Sequence, residues 1–313
     1  MTKFWLCALA CSVVALPADV RLGIVGTDTS HVPAITSALN DTSKPDHVAG
    51  ARVVAAYKGG TALPASANRV EKFAAELQSR WGVEIVPDIP TLCRKVDGIL
   101  LESVDGRIHL QEVKQIAAAK KPVFIDKPLA CSLEDAREIA RVLAQAGVPW
   151  WSSSSLRYGE IPRTMKHDDA HAVVTWAHAP LEPLFPLDLT WYGIHPIEEL
   201  YALMGPGCAE VTRVSGRGEE LLIGRWKDGR TGVVHVLQPG PGGAEGAIVF
   251  RPKAVMQSQP KMGDGFRHLA VEIVKFFQTG TPPVPNDETL EIFAFMDAAQ
   301  RSKAAGGQPM RLR

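Results

Sequence analysis

Short apolar runs alternate with amphipathic segments along the first half of the chain. The apolar runs, rich in β-branched residues, predict strands over 20–26, 52–57, 84–86, 98–101, 122–125 and 148–152. Apolar residues at helical spacing predict helices over 32–39, 66–81, 108–119 and 132–146. The last helix begins with the capping box Ser132-Leu133-Glu134-Asp135. Because strands that alternate with helices form a parallel sheet covered on both faces, residues 19–154 are predicted to be a doubly wound α/β domain of Rossmann type.

The pattern changes after about residue 155. Runs over 173–178, 210–216, 221–226 and 232–237 predict strands, with Asp228-Gly229 as a hairpin turn between the last two. Amphipathic helices are predicted over 269–278 and 288–303. Strands followed by segregated helices indicate an α+β domain with a mainly antiparallel sheet over 155–313. An uncovered face of such a sheet is compatible with a homo-oligomer.

The first 18 residues differ from the rest of the chain. Lys3 precedes an uninterrupted run of apolar and small residues over 4–16, which ends at Pro17-Ala18. This pattern is typical of a cleaved signal peptide and is short for a membrane span. We therefore expect export to the periplasm or the cell exterior, with no membrane attachment after cleavage. A cytoplasmic protein with an N-terminal extension is the alternative.

Composition excludes several classes of partner and site. Lys plus Arg equals Asp plus Glu at 34 each, so no charge excess favours binding to nucleic acid. Outside the leader, Cys93, Cys131 and Cys208 are widely spaced and indicate neither a disulfide framework nor a metal knuckle. The segment from His167 to His171 is interpreted as a polar loop before a strand, so no metal site is expected there.

The turn after the first strand is where a dinucleotide-binding fold holds the pyrophosphate. It consists of Gly26, Thr27, Asp28, Thr29, Ser30 and His31. Only the first glycine of a G-x-G-x-x-G fingerprint is present, because Asp28 and His31 stand where the other two are expected. Asp28 adds negative charge to an anion site, which the hydroxyls of Thr29 and Ser30 can offset as donors. From these residues alone, a pyrophosphate site and an ordinary capped helix start are equally supported.

The end of the second strand carries no acidic residue for the adenosine ribose. The segment Ala55-Ala56-Tyr57-Lys58-Gly59-Gly60 offers Lys58 instead, which can face a 2′-phosphate. This favours NADP over NAD if a dinucleotide binds. A solvated lysine is the alternative interpretation.

Asp126-Lys127-Pro128 follows the strand over 122–125, at the edge of the sheet where such folds bind ligands. With this motif the chain resembles the glucose-fructose oxidoreductase/inositol dehydrogenase-like (Gfo/Idh/MocA) family, whose members carry Glu-Lys-Pro at this point. The resemblance implies that Lys127 hydrogen-bonds both the substrate hydroxyl and the nicotinamide, which makes it a candidate catalytic residue. It also implies that Asp126, and Glu102 after the neighbouring strand, lie beside the cofactor.

The resemblance extends from Val20 to the C-terminal tail. Residues 153–158 resemble the family's interdomain crossover, where Arg157 is expected to meet the substrate. The helix ending at Gly280 and the segment 297–302 resemble the family's C-terminal signature.

Residues 191–198 resemble the family's second catalytic motif, Asp-x-Gly-x-His-x-x-Asp. The resemblance implies that His195 accepts the hydroxyl proton as hydride leaves the same carbon, and that Glu198 replaces the last acid. Trp191 stands where the first aspartate is expected and, with Tyr192, offers an aromatic face for a sugar ring. Asp188 is a candidate replacement for the missing carboxylate.

These residues predict an NAD(P)-dependent oxidoreductase that acts on a secondary hydroxyl of a sugar, cyclitol or glycoside. The competing hypothesis is a non-catalytic, exported carbohydrate- or nucleotide-binding protein on the same scaffold. A third hypothesis keeps a tightly bound, internally recycled cofactor for lyase or hydrolase chemistry.

Overall fold

The computed structural model describes residues 19–238, 245–259 and 265–313. The expected leader over 1–18 lies outside these ranges. The strands are β1 (Val20–Val25), β2 (Ala51–Tyr57), β3 (Glu84–Val86), β4 (Gly98–Leu101), β5 (Val123–Asp126), β6 (Trp150–Ser153), β7 (Ala172–His178), β8 (Cys208–Gly216), β9 (Glu219–Trp226), β10 (Thr231–Leu237), β11 (Glu245–Arg251), β12 (Ala254–Gln257) and β13 (Met310–Arg311). The helices are α1 (His31–Asn40), α2 (Pro64–Ala67), α3 (Val70–Trp81), α4 (Ile89–Lys95), α5 (His109–Ala118), α6 (Leu133–Ala146), α7 (Glu160–Met165), α8 (Ile194–Met204), α9 (Phe266–Thr279) and α10 (Asn286–Ala304). None of these helices is long and apolar enough to span a membrane.

The first sheet has six parallel strands in the order β3-β2-β1-β4-β5-β6. This confirms the doubly wound α/β prediction. The strand order reverses beside β1, and in such sheets ligands bind at the carboxyl ends of the strands next to that point. The predicted capping box is also present, since Ser132 Oγ accepts a hydrogen bond from the Asp135 N–H at 3.0 Å.

The second sheet has seven strands in the order β12-β11-β7-β10-β9-β8-β13. All neighbours pair antiparallel except β7 and β10, which confirms a mainly antiparallel sheet. Asp228-Gly229 forms the predicted turn between β9 and β10, and Gly229 has a positive φ of 92°. Six elements of the described residues were not predicted from the sequence, and α2 and α3 were joined into one helix. The six are α4, α7, α8, β11, β12 and β13.

Helix α9 comes from the second half of the chain but packs on the first sheet. Leu269, Ile273 and Phe276 are fully buried in one cluster with Phe124 and Trp151. Burial of each such large apolar side chain stabilises the fold by about 2 kcal/mol. The first domain is therefore completed by α9, which follows the crossover near residue 154 in the chain and packs on the first sheet.

A buried ion network fixes the segment that leads to α8. The side chain of Arg213, on β8, is fully buried and donates to both carboxylate oxygens of Asp188, at 2.8 and 3.0 Å. Its Nε donates to Glu220 on β9 at 2.8 Å, and Lys303 of α10 donates to Asp188 at 2.9 Å. Asp188 is therefore held against the second sheet by two cations.

Replacing Arg213 tests this network. Arg213→Met should lower the free energy of unfolding by about 3 to 5 kcal/mol, because it leaves Asp188 and Glu220 without their shared guanidinium. Urea unfolding measures the change. Arg225→Met, at an exposed position of β9, is the matched control and should stay within about 0.5 kcal/mol. Equal losses in both variants would contradict the network's role.

Glu112, in α5, gives the fold a dependence on pH. It is buried, Ser103 Oγ donates to it at 2.9 Å, and burial raises the pKa of its carboxyl to about 8. Between its ordinary pKa of 4.5 and this value, the folded chain holds a proton that the unfolded chain releases. Its contribution to stability is therefore complete below the ordinary pKa and decreases as the pH rises toward 8.

Glu112→Gln should flatten this profile. The slope that it removes is at most about 1.4 kcal/mol per pH unit. Urea unfolding at pH values between about 5 and 8 checks the result, with Glu134→Gln as an exposed control on α6. A variant that loses stability with pH as steeply as the unmodified chain would show that Glu112 is already ionised in the fold.

Candidate active site

Lys127 follows β5 directly, and its side chain points toward the second domain. The residue is only 6% exposed. Its Nζ lies 3.5 Å from the carbonyl oxygen of Trp191 and 4.7 Å from the ring centroid of Tyr192. Burial lowers the pKa of Lys127, while the carboxylates of Asp126 and Glu102 counteract that effect. The first domain thus places an ammonium group against the motif that the second domain supplies.

His195 lies in the first turn of α8, beside the same aromatic residues. Its ring centroid is 5.5 Å from that of Tyr192. Burial lowers the pKa of His195 well below its usual value, and the nearby charges of Lys127 and His31 add to this. The three groups therefore interact electrostatically across the two domains. The imidazole is held in its neutral form, which can accept a proton.

The orientation of the His195 ring is set by Ser154. Ser154 Oγ lies 2.7 Å from Nδ1 of the ring and also accepts from the Leu156 N–H at 3.1 Å. A hydroxyl oxygen has a second lone pair. Nδ1–H can therefore donate to Ser154, which leaves Nε2 as the proton acceptor. Sequence analysis placed Ser154 in the crossover without assigning it this contact.

Arg157 and Glu198, both expected at the substrate, bond to each other. Arg157 Nε donates to Glu198 at 2.7 Å, and its other arm pairs with Glu288 of α10 at 2.7 Å. Glu198 also accepts from the Ser154 N–H at 3.3 Å. This buried ion pair fixes the crossover against α8, so it positions Ser154 and His195. A contact of either residue with substrate stays a prediction.

Trp191 and Tyr192 form an aromatic face over Lys127. Their ring centroids are 5.4 Å apart, and both residues are partly exposed. Asp188 does not join them, because Arg213 and Lys303 hold its carboxylate. The expectation that Asp188 replaces the missing aspartate is therefore wrong. Within the motif over 191–198, His195 is the candidate base whose charge interacts with Lys127.

An acidic group lies at the carboxyl ends of β4 and β5. Glu102 follows β4, Asp126 ends β5, and His31 begins α1 with its Nδ1 2.5 Å from Asp126 Oδ2. Burial and the carboxylates of Asp126 and Asp28 raise the pKa of Glu102 well above its usual value. Sequence analysis assigned all three residues to the cofactor, and the structure brings them together at the sheet edge.

The phosphate turn is built around a buried Asp28. Gly26 has a φ of 88°, and a Cβ there would lie 2.5 Å from the backbone of Ser103, so only glycine fits this position. The Asp28 carboxylate accepts from Ser66 Oγ at 2.5 Å and from the Val104 N–H at 3.0 Å. It thus bridges α2 and the loop after β4. Thr29 and Ser30 were predicted to offset its charge, but Ser66 and Val104 are the residues that donate to the carboxylate.

Two further contacts join neighbouring residues of the same two segments. Thr61 Oγ1 donates to Asp105 at 3.0 Å, and Leu63 packs in a small cluster with Val104 and Phe185. Thr27 is also engaged, because its N–H and its hydroxyl both donate to the Lys58 carbonyl. These contacts therefore join the segments that flank the turn after β1.

The nicotinamide end of the crevice fits the fold's cofactor better than the adenosine end does. At the end of the crevice where the nicotinamide is expected, beside Lys127, the buried Glu102 oxygens have no hydrogen-bond partner among the described residues. At the adenosine end, Lys58 Nζ donates to Glu71 at 2.7 Å. Where the pyrophosphate and a 2′-phosphate are expected, Asp28 is bonded to Ser66 and Val104, and Lys58 is bonded to Glu71.

Comparison with known proteins agrees with this fold. Residues 20–153 match the GFO_IDH_MocA profile, described as an oxidoreductase family with an NAD-binding Rossmann fold. No curated protein sequence matches the chain.

Three solved structures are similar over almost their whole length. A myo-inositol 2-dehydrogenase from Lactobacillus plantarum has a TM-score of 0.75 at 14% identity, over 95% of this chain and 100% of that chain. An apo scyllo-inositol dehydrogenase from Lactobacillus casei has a TM-score of 0.74 at 14% identity, over 94% and 98% of the two chains. An oxidoreductase from Agrobacterium radiobacter, crystallised with NAD+, L-tartaric acid and magnesium, has a TM-score of 0.70 at 16% identity, over 94% and 99%. At these identities the likeness shows the fold alone. Residues 20–153 are therefore similar to the Gfo/Idh/MocA oxidoreductase family, which is described as having an NAD-binding Rossmann fold.

Proposed function

We propose that the chain is an NAD(P)-dependent oxidoreductase that acts on a secondary hydroxyl of a sugar or cyclitol. The observation that carries this proposal is the convergence of Lys127 and His195 from different domains on one aromatic face. A bound dinucleotide supplies or accepts the hydride. The chain's own residues then have to bind the substrate carbinol, orient it and move its proton.

Lys127 and His195 have different roles in this proton transfer. The Lys127 ammonium donates a hydrogen bond to the hydroxyl oxygen and stabilises the negative charge that develops there. The neutral imidazole of His195 accepts the hydroxyl proton at Nε2, while Ser154 holds Nδ1. Neither role needs the aspartate that Trp191 replaces.

The substrate class follows from the surface around these two groups. Trp191 and Tyr192 present aromatic faces, which pack on the apolar C–H face of a pyranose or cyclitol ring. Two of the similar structures are inositol dehydrogenases, which supports a polyhydroxylated ring as substrate. The expected export over residues 1–18 stays part of this proposal, with a cytoplasmic location as the alternative.

One observation favours a second candidate function. The Asp28 carboxylate, bonded to Ser66 and Val104, lies where the fold's fingerprint has a glycine beside the pyrophosphate. A chain that kept this bridge permanently would be a carbohydrate-binding protein without redox chemistry.

Dinucleotide binding separates the two candidates. An oxidoreductase should show a higher melting temperature with millimolar NAD or NADP, because a ligand that binds only the folded state stabilises it. If neither dinucleotide changes the melting temperature, and none is released on denaturation, the redox proposal fails and the binding protein remains.

Substitutions at the two proposed catalytic residues test their roles. Lys127→Ala and His195→Ala should each lower kcat for polyol oxidation by about 10²-fold or more, because each removes a group that acts on the proton or the developing charge. Absorbance of the reduced nicotinamide gives the rate, and circular dichroism verifies the fold. Lys114→Ala and His171→Ala, both at exposed positions, are matched controls and should keep full activity. An active double variant at residues 127 and 195 would rule out this assignment.

Asp28→Gly tests whether the bridge limits cofactor binding. The substitution supplies the second glycine of the fingerprint and removes a carboxylate from the phosphate site, so NAD+ should bind at least about tenfold more tightly, which is 1.4 kcal/mol. Isothermal titration calorimetry gives the affinity. Ser66→Ala breaks one bond of the bridge and keeps the charge, and its gain should be smaller. If Asp28→Gly and the unmodified chain bind NAD+ with equal affinity, the bridge from Asp28 does not limit cofactor binding.

A further inference from the structure

We propose that His31, Glu102 and Asp126 form a binding site for one divalent transition-metal cation. The site lies at the carboxyl ends of β4 and β5, beside Lys127. This inference goes beyond the oxidoreductase reaction, since it requires neither a dinucleotide nor a substrate.

The three side chains come from distant parts of the sequence and meet at one point. One ligand atom from each residue, an imidazole nitrogen or a carboxylate oxygen, lies within 4.8 Å of the other two. A cation placed among atoms at this spacing can reach all three after small side-chain adjustments. Among the described residues, no other set of three such side chains meets this criterion.

Unpaired carboxylate oxygens provide the second observation. Glu102 is 1% exposed, and neither of its oxygens has a hydrogen-bond partner among the described residues. Asp126 is 3% exposed, and its Oδ1 also has none. An unsatisfied buried polar group costs about 1 to 3 kcal/mol, and more when it is charged. Three such oxygens at one point indicate a ligand that accepts several lone pairs at once.

The local charge balance agrees with a cation. Glu102, Asp126 and Asp28 are three buried carboxylates whose charges interact. The nearest ammonium, that of Lys127, contacts the Trp191 carbonyl and the aromatic rings, and the described residues show no ion pair from it to these acids. A divalent cation at His31, Glu102 and Asp126 would supply positive charge that stabilises the ionised form of both carboxylates.

The ligand types indicate which cation binds. One imidazole with two carboxylates suits Mn2+ and Zn2+, whereas Mg2+ prefers oxygen ligands alone. Three protein ligands leave at least one coordination position for water or a substrate oxygen. That position would lie near Lys127, where a hydroxyl or carbonyl oxygen of the substrate is proposed to bind.

Metal binding by the purified, tag-free full chain tests the proposal. After treatment with EDTA and its removal, Mn2+ is titrated and the free ion is followed by electron paramagnetic resonance. Zn2+ and Mg2+ are titrated in parallel by calorimetry. One Mn2+ or Zn2+ should bind per chain, with weaker binding of Mg2+. The absence of a one-to-one site for both Mn2+ and Zn2+ would overturn the proposal, whatever the outcome of assays with NAD.

Ligand variants place the bound ion. His31→Ala, Glu102→Gln and Asp126→Asn should each weaken Mn2+ binding by at least about tenfold. Glu112→Gln removes another buried carboxyl of the same domain, outside the cluster, and should bind as the unmodified chain does. Glu102→Gln replaces an unpaired carboxylate with a neutral group, so the metal-free variant should remain folded and keep the test valid. If Glu102→Gln binds Mn2+ normally, or Glu112→Gln weakens it equally, the ion is elsewhere and the proposal is wrong.

Discussion

The structure of the site depends on one constraint, the burial of charge at the carboxyl edge of a parallel sheet. Strands β4 and β5 end side by side, so Glu102, Asp126 and Lys127 are delivered to the same place with little access to water. Charges in such a place interact strongly and cannot be left unbalanced. Burial raises the pKa of Glu102, and His31 contacts Asp126. The ammonium of Lys127 is the group beside which we expect the substrate oxygen to bind.

The second domain places a neutral base and aromatic rings beside this charged sheet edge. Helix α8 carries His195, and the ion pair of Arg157 with Glu198 holds its first turns to the crossover. Arg157 also forms an ion pair with Glu288 on α10. Helix α9 packs on the first sheet, and the ring centroid of its Phe266 lies 4.8 Å from that of His31. The two halves are therefore tied together on both sides of the site. Its geometry does not rest on the single crossover strand.

The fold was predictable from the sequence because the patterns that specify it are local. Alternating strands and helices, the cap at Ser132 and the turn at Asp228-Gly229 each depend on a few adjacent residues. The Lys127 motif was recognisable for the same reason. Contacts between distant residues had no such signal: 38 positions separate Asp28 from Ser66, and 95 separate His31 from Asp126. The residues of the sheet edge were therefore predictable from the sequence, but their contacts were not. The prediction for Asp188 was wrong because Arg213, on the second sheet, binds its carboxylate.

Asp28 and the acidic group at β4 and β5 are two parts of one electrostatic feature. A glycine turn leaves the positive end of α1 free for phosphates, whereas here a buried carboxylate occupies that region and further carboxylates follow along the sheet edge. A pyrophosphate adds negative charge to such an edge, and a divalent cation removes it. We therefore expect the edge to favour a cation, whereas a dinucleotide would meet a carboxylate that is bonded to Ser66 and Val104. The charge of the buried Asp28 carboxylate is therefore the feature of this edge that we expect to weaken dinucleotide binding.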